Sequence, residues 1–179
     1  KIPITISIIT ISIYPKQNLS NFKQHLIISL KITQLPQTPY IDVISHTHNL
    51  HRGIMYNPQG NEAAAANRRY SITQGRYEND TDYRKRIRDD LKKSVDLLES
   101  KTDEKVRAIA WPYGIYNRIL IEEAQKLDLI VNFSLNDNNA DIRALSKIDR
   151  FLVYQNPTTL ELLKDLNLLP QSPENKRII

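Results

Sequence analysis

The sequence predicts an α/β fold in which strands and helices alternate to form a parallel sheet or a (β/α) barrel. Short apolar runs recur from residue 40 onward, and segments with helical periodicity separate them. The length of 179 residues suits one domain with a core of ordinary size. In such folds, functional residues gather on the loops after the carboxyl ends of the strands. The residues that follow each predicted strand are therefore the first candidates for a site.

Composition and charge exclude several classes of protein. The absence of cysteine rules out disulfides and thiolate metal sites. The net charge is +5, but residues 1–40 hold four of the 25 basic residues and none of the 20 acidic ones, so the rest carries only 21 − 20 = +1. Interleaved charges of both signs indicate a solvated surface, not a nucleic-acid-binding stripe. No apolar run reaches the roughly 18 residues that a membrane-spanning helix needs.

Residues 1–40 differ in kind from the rest of the chain. They contain ten isoleucines and no acidic residue. The run ITISIITISI (4–13) alternates apolar and hydroxyl side chains, which predicts a strand, although the alternation shifts at Ile8–Ile9. The run KQNLSNFKQHLIISLKI (16–32) is compatible with a helix. This segment offers no obvious chemistry.

Four apolar runs in the remainder predict strands. IDVIS (41–45) delivers a group of histidines, and VRAIAW (106–111) is a buried parallel strand that ends at Pro112. LIVNF (129–133) and RFLVYQ (150–155) are the other two.

Between the first two of these strands lies a long polar segment and then a helix. The segment 52–80 predicts a loop with a turn at PQG (58–60) and a short helical run at EAAAANRR (62–69). A loop of this length is usually functional or mobile.

The segment 81–100 carries the clearest helical pattern. Its apolar stripe at spacings of four, four and three consists of Ile87, Leu91, Val95 and Leu98. The polar residues at its start, Asp80, Thr81 and Asp82, predict N-terminal capping.

Two further helices have capping signals. Asn117 predicts the start of a helix through about Leu127, with Leu120, Ala124 and Leu127 facing inward. Thr158 and Glu161 predict a capping box for the last helix.

Three of the four histidines, His46, His48 and His51, lie within six residues at the end of the first of these strands. Histidine is the commonest metal ligand and titrates near neutrality, although a polar loop that is merely rich in histidine explains the pattern as well. His46 and His51 meet at one ion only if the chain turns between them. A two-histidine site also needs a third protein ligand, normally a carboxylate. Without cysteine, the ion would be zinc or a similar divalent metal.

Two motifs resemble those of the NodB-homology polysaccharide deacetylases, carbohydrate esterase family four. SHTHNLH (45–51) resembles the family's metal-binding motif, and AWPYGIYN (110–117) resembles its WPYG motif. The five-residue histidine spacing is similar to that of the branch acting on poly-β-1,6-N-acetyl-D-glucosamine, a biofilm exopolysaccharide. The similarity continues through residues 67–91, 121–135 and 149–163, and covers roughly residues 42–170.

This resemblance implies a partial, distorted (β/α) barrel with His46 and His51 as ligands of a divalent metal, zinc first, with nickel, cobalt or iron as alternatives. It implies that Trp111, Pro112 and Tyr113 bind substrate, that Trp111 forms a wall of the sugar groove, and that the backbone N–H of Tyr113 stabilises the oxyanion. The alternative for Trp111 is a core position, because the run before it is apolar. His48 falls where the family uses no ligand.

The resemblance also implies a setting for the chain. The polymer would be the partner, and the location would be the periplasm or cell envelope. The tail QSPENKRII (171–179) resembles the start of a linker to a C-terminal glycoside-hydrolase-like domain.

The family's Asp-Asp-Gly motif, which carries the general base and the third metal ligand, has no counterpart here, since no acidic residue precedes Asp42. Its proton-donating histidine is also missing. We expect three regions: an atypical head (1–40) that is out of frame, divergent or decayed, a partial deacetylase domain (41–170) and the linker. The resemblance implies a metal-dependent polysaccharide N-deacetylase, a hydrolase, of which this chain is an inactive fragment. The alternative is a non-catalytic carbohydrate-binding remnant. A relative acting on chitin or peptidoglycan fits the histidine spacing less well.

Overall fold

The computed structural model describes residues 4–8, 10, 32–33, 41–136, 141, 143–150 and 157–165. Within these residues the strands are β1 (Ile4–Ile8), β2 (Ile41–Ser45), β3 (Gly53–Met55), β4 (Glu62–Ala64), β5 (Tyr70–Ser71), β6 (Arg76–Tyr77), β7 (Ala108–Ala110) and β8 (Val131–Phe133). The helices are α1 (Asp80–Thr102), α2 (Arg118–Gln125) and α3 (Thr159–Asp165), with a 3₁₀ turn at Pro112–Gly114.

Four strands form one parallel sheet in the order β1-β2-β7-β8. Ile8 pairs with Ser45 in the register of β1 and β2, and Ser45 pairs with Ile109 of β7. The carboxyl ends of β1, β2 and β7 therefore lie side by side, which brings the residues after them to one edge. The α/β class is confirmed. Closure of this sheet into a barrel stays a prediction.

Helix α1 covers the sheet because its apolar stripe matches the helical repeat. Ile87, Leu91 and Leu98 have no exposed surface, and Val95 is buried as well. These residues join Ile109, Leu120 and Leu129 in one core cluster. The predicted stripe is confirmed, and the helix contacts both β2 and α2.

The helix boundaries follow local capping. Asn79 is the N-cap of α1, and its side chain accepts a hydrogen bond from the Asp82 N–H, so the cap lies one residue before the predicted group. Asn117 caps α2 as predicted, through a bond from the Leu120 N–H. The capping box of α3 is also confirmed. The side-chain oxygen of Glu161 accepts the Thr158 N–H, and that of Thr158 accepts the Glu161 N–H.

The segment 52–80 differs from its prediction. It contains two hairpins, β3–β4 and β5–β6, and the helical run predicted at 62–69 is wrong. Tertiary contacts outweigh the helix propensity of alanine here. Ala65 and Ala66 are fully buried, and their carbonyls accept hydrogen bonds from Arg86 and Tyr83 of α1.

Other predicted elements are shorter than expected or fall outside the described residues. The strands predicted at 106–111 and 129–133 form only over 108–110 and 131–133. The strand predicted at 150–155, apart from residue 150, and the helix predicted at 16–32, apart from residue 32, lie outside the described residues. Over the described part of the chain, no helix combines the length and apolar character required to cross a membrane.

Candidate metal centre at the ends of the parallel strands

The turn that follows β2 brings His46 and His51 together. Thr47 adopts a left-handed conformation with φ of 69°, which bends the chain directly after the strand. The ring centroids of His46 and His51 lie 5.1 Å apart, with an angle of 49° between the ring planes. The chain turn that a shared ion requires is therefore present.

The hydrogen bond of His46 defines which ring nitrogen is available. Its Nδ1 lies 2.6 Å from the backbone oxygen of Ala110, at the end of β7. Since a carbonyl oxygen can only accept, we assign the proton to Nδ1, and Nε2 of the neutral ring keeps its lone pair. A backbone carbonyl that orients a histidine in this way is typical of metal ligands.

Burial also favours the neutral form of His46. Burial lowers the pKa of this imidazole, the bond to the Ala110 carbonyl raises it, and the nearby His51 and Arg150 lower it, with a net lowering. The protonated ring would not bind a cation, so these surroundings keep His46 in the form that a metal needs.

Two imidazoles fit a divalent ion, but the described residues do not complete its shell. Within the described ranges, no group of three or more histidine, aspartate or glutamate side chains is arranged to hold a metal. Thr10, two residues beyond β1, donates its N–H to the Thr47 carbonyl, but its side chain is a hydroxyl and not a carboxylate. Among the described residues, no carboxylate therefore joins the two histidines as a third ligand.

His48 faces a different partner from the other two histidines. Its Nδ1 lies 2.9 Å from Oγ1 of Thr10, and the Thr10 N–H donates to the Thr47 carbonyl. Burial lowers the pKa of His48 more than the neighbouring Asp90 raises it. The ring of His48 therefore helps to join the turn to Thr10, two residues beyond β1.

The loop after β7 places Tyr113, but not Trp111, at the surface. Tyr113 is 52% exposed, and its ring centroid lies 4.4 Å from that of His51. Trp111 has no exposed surface, and its indole N–H donates to Oδ1 of Asn132 over 2.9 Å. Pro112 is buried as well. Trp111 is thus a core residue in this structure, which differs from the expectation of a groove wall.

Sequence reasoning did not single out two charged residues near the turn. Asp90 of α1 bonds the backbone of the turn, and Arg150 lies close enough to influence the pKa of His46. Arg150 donates from Nε to the Ser134 carbonyl, and burial lowers its pKa. The only signal for Asp90 was its position beside Leu91 of the apolar stripe, since a carboxylate so close to a buried face needs partners.

The parallel sheet and the histidine pair at its carboxyl edge define an α/β domain with a candidate divalent metal centre. The sequence model of the polysaccharide deacetylase family matches residues 20–131, more than half of the chain. The chain therefore belongs to the polysaccharide deacetylase family, which consists of hydrolases. This confirms the family inferred from the two motifs, and the match begins inside the segment 1–40.

Named relatives agree with this assignment. The poly-β-1,6-N-acetyl-D-glucosamine N-deacetylase of Escherichia coli (strain K12) is 33% identical over 137 residues, which are 76% of this chain and 20% of that protein. The chain thus spans about a fifth of that relative's length. The deacetylase domain of BpsB from Bordetella bronchiseptica is 33% identical with a TM-score of 0.67, over 84% of this chain and 61% of that domain.

A third comparison concerns the fold alone. The de-N-acetylase from Aggregatibacter actinomycetemcomitans superposes with a TM-score of 0.75 over 91% of this chain and 64% of that one, at 21% identity.

Proposed function

We propose that this chain is part of a metal-dependent deacetylase that removes N-acetyl groups from poly-β-1,6-N-acetyl-D-glucosamine. The observation that carries the proposal is the pair His46 and His51, with Nδ1 of His46 bonded to the Ala110 carbonyl. The substrate follows from the names of the Escherichia coli relatives, which share a third of the aligned residues. The polymer's setting, the periplasm or cell envelope, and fusion to a C-terminal glycoside-hydrolase-like domain are parts of the same proposal.

His46 and His51 would hold the ion, for which zinc is our first choice, with nickel, cobalt or iron as alternatives. A bound divalent metal would polarise the amide carbonyl and acidify the attacking water. Tyr113 would contribute its backbone N–H to the oxyanion and its exposed ring to sugar binding. Trp111 and Pro112, which are buried, would support Tyr113 from the core.

We further propose that this chain by itself does not deacetylate. The described residues offer no third ligand group, and no acidic residue precedes Asp42 to act as the family's general base. Loss of a general base alone costs a factor of about 10² to 10⁴ in rate. Weaker metal binding would reduce the rate further.

Acetate release from poly-β-1,6-N-acetyl-D-glucosamine tests this proposal. With zinc present, the purified chain should release no acetate above the rate in buffer. A chain with the family's Asp-Asp-Gly segment and upstream histidine restored should release acetate, and a chelator or His46→Ala should abolish that release. Chelator-sensitive release by the original chain would overturn the proposed inactivity. No release by the restored chain, if it is folded and binds zinc, would overturn the proposed reaction.

A second candidate function, non-catalytic carbohydrate binding, has its own supporting observation. Tyr56 and Tyr77 are nearly half exposed and line a cavity of about 380 Å³ together with Asn67, Arg68 and Asn117. Aromatic faces combined with amide side chains suit sugar rings. Binding of N-acetylglucosamine oligomers that Tyr56→Ala weakens, without any acetate release from the restored chain, would favour this function.

A further inference from the structure

Helix α1 contacts the histidine turn through two polar side chains that lie four residues apart. The carboxylate of Asp90 accepts the His48 N–H at Oδ1 over 2.9 Å and the Asn49 N–H at Oδ2 over 2.8 Å. One turn further along the helix, Oγ of Ser94 lies 2.8 Å from Oγ of Ser45, and this contact is buried. Residues four apart share one helix face, so both contacts fix the turn from the same side.

The turn needs such support because its backbone is strained. Thr47 is β-branched and has φ of 69°, a conformation that is unfavourable for a non-glycine residue. Its N–H donates to Oγ of Ser45 over 3.0 Å, and its own Oγ1 accepts the Leu50 N–H over 3.2 Å. Side-chain contacts therefore hold a conformation that the backbone alone would not favour.

We propose that Asp90 is a positioning residue for the metal site, which fixes the backbone between His46 and His51 and so sets the separation of their rings. This inference rests on the proposed function, since it concerns the same metal site. Both carboxylate oxygens of Asp90 accept backbone N–H groups, so Asp90 would act through the backbone of the turn and not as a ligand. It holds the two consecutive N–H groups in the middle of the turn, between the two ligands.

The chemistry of the contact explains why a carboxylate is needed. Each of its oxygens accepts one N–H, and a bond to an ionised acceptor is stronger than a neutral one. An asparagine at this position has one oxygen, and its NH₂ group would face the second N–H donor. Asp90→Asn therefore keeps the shape of the side chain but leaves one amide of the turn without an acceptor.

Zinc titration of the Asp90→Asn chain, compared with Asp89→Asn, tests this proposal. Asp89 is next in sequence, but its exposed carboxylate pairs with Lys85 on the same helix, so its loss removes a similar charge without touching the turn. We expect Asp90→Asn to weaken zinc binding by about 10- to 100-fold, as is typical for groups that orient metal ligands, and Asp89→Asn to leave it unchanged. Amide hydrogen exchange at residues 48 and 49 should accelerate only in Asp90→Asn.

The two readouts separate the possible failures. If the unmodified chain binds no zinc, the proposed metal site fails, and the exchange rates alone decide whether Asp90 fixes the turn. If zinc binds and Asp90→Asn retains both its affinity and its slow exchange, Asp90 has no positioning role. Should Asp90→Asn not fold, Asp90→Glu keeps the charge and displaces it by one methylene. Weaker zinc binding by that variant is expected, and unchanged affinity would overturn the proposal.

Discussion

The turn after β2 and the loop after β7 both contain a backbone conformation that is unfavourable for a non-glycine residue, but different contacts stabilise each of them. Each follows a parallel strand at its carboxyl end, and each contains a non-glycine residue with positive φ, Thr47 at 69° and Tyr113 at 55°. The two segments meet where the ring of Tyr113 lies against that of His51. The turn is fixed largely by polar side chains of α1, namely Asp90 and Ser94.

The loop after β7 is instead fixed by packing and by its own backbone. Trp111 anchors it in the core, and the N–H of Gly114 donates to the Trp111 carbonyl. Gly114 has φ of 67°, and a Cβ there would lie 2.4 Å from Cβ of Leu135. The positions of the two histidines thus depend on a few polar contacts, whereas the position of Tyr113 depends on how closely its neighbours pack. Substitutions that change side-chain volume in the loop after β7 should therefore reduce the stability of the fold. Substitutions that remove the polar contacts of the turn after β2 should reduce metal binding.

The largest expected effect is that of Trp111→Ala. Removing a fully buried indole should cost about 3–5 kcal/mol in the free energy of unfolding, because it leaves a cavity and Asn132 loses its donor. Tyr113→Ala, at an exposed position, should cost about 0.5 kcal/mol or less. Urea denaturation measures both. A stable Trp111→Ala chain with impaired sugar binding alone would restore the groove-wall interpretation.

Gly114→Ala should have the next largest effect. The new methyl group meets Leu135, including its backbone nitrogen, and positive φ adds strain, so we expect a loss of about 1–3 kcal/mol. The matched control is Gly60→Ala, where φ is +83° but no atom lies within 4 Å of the new Cβ. That control should lose less, since only backbone strain is added. Equal losses in the two variants, measured by the same denaturation, would show that the contact with Leu135 is unimportant.

A smaller, pH-dependent effect should come from Glu123, which joins α2 to α1. Burial acts to raise the pKa of Glu123, but hydrogen bonds from Arg88, Lys126 and Arg84 outweigh it and lower the pKa from 4.5 to about 2. Because the folded pKa is depressed, its contribution to stability is complete above the unfolded pKa. That contribution is lost as the pH falls from 4.5 towards 2.

Urea denaturation at several pH values from about 5 to about 2, the range over which Glu123 titrates, measures this loss of stability. Glu123→Gln should be less stable than the unmodified chain at pH 5 and should show a flatter loss of stability on acidification. Asp89→Asn, which removes an exposed carboxylate of α1, should retain the slope. An unchanged slope in Glu123→Gln would contradict the assignment of the lowered pKa.

Local patterns predicted α1, the cap of α2 and the capping box of α3 because their signals are contained in short segments. The stripe from Ile87 to Leu98 and the cap at Asn117 depend on neighbours in sequence. The pairing of His46 with His51 was predicted from the resemblance of SHTHNLH (45–51) to the family's metal-binding motif, and the structure supplies the turn between them.

Other features depend on partners far along the chain. The alanines at 63–66 form a strand end and a turn because Arg86 and Tyr83 bind their carbonyls, and no local pattern shows that contact. Trp111 lies in the core because Asn132, 21 residues later, accepts its N–H. The contact of Asp90 with the turn could likewise not be predicted without knowing that α1 packs against β2.

Zinc calorimetry on three alanine variants distinguishes a metal site formed by His46 and His51 from one that includes His48. We expect weak zinc binding by the unmodified chain, because two imidazoles without a carboxylate leave the ion incompletely coordinated. His46→Ala and His51→Ala should each abolish that binding, whereas His48→Ala should retain most of it, since its ring faces Thr10. Zinc binding that survives His51→Ala, or that is lost only in His48→Ala, would show that His46 and His51 do not form the metal site.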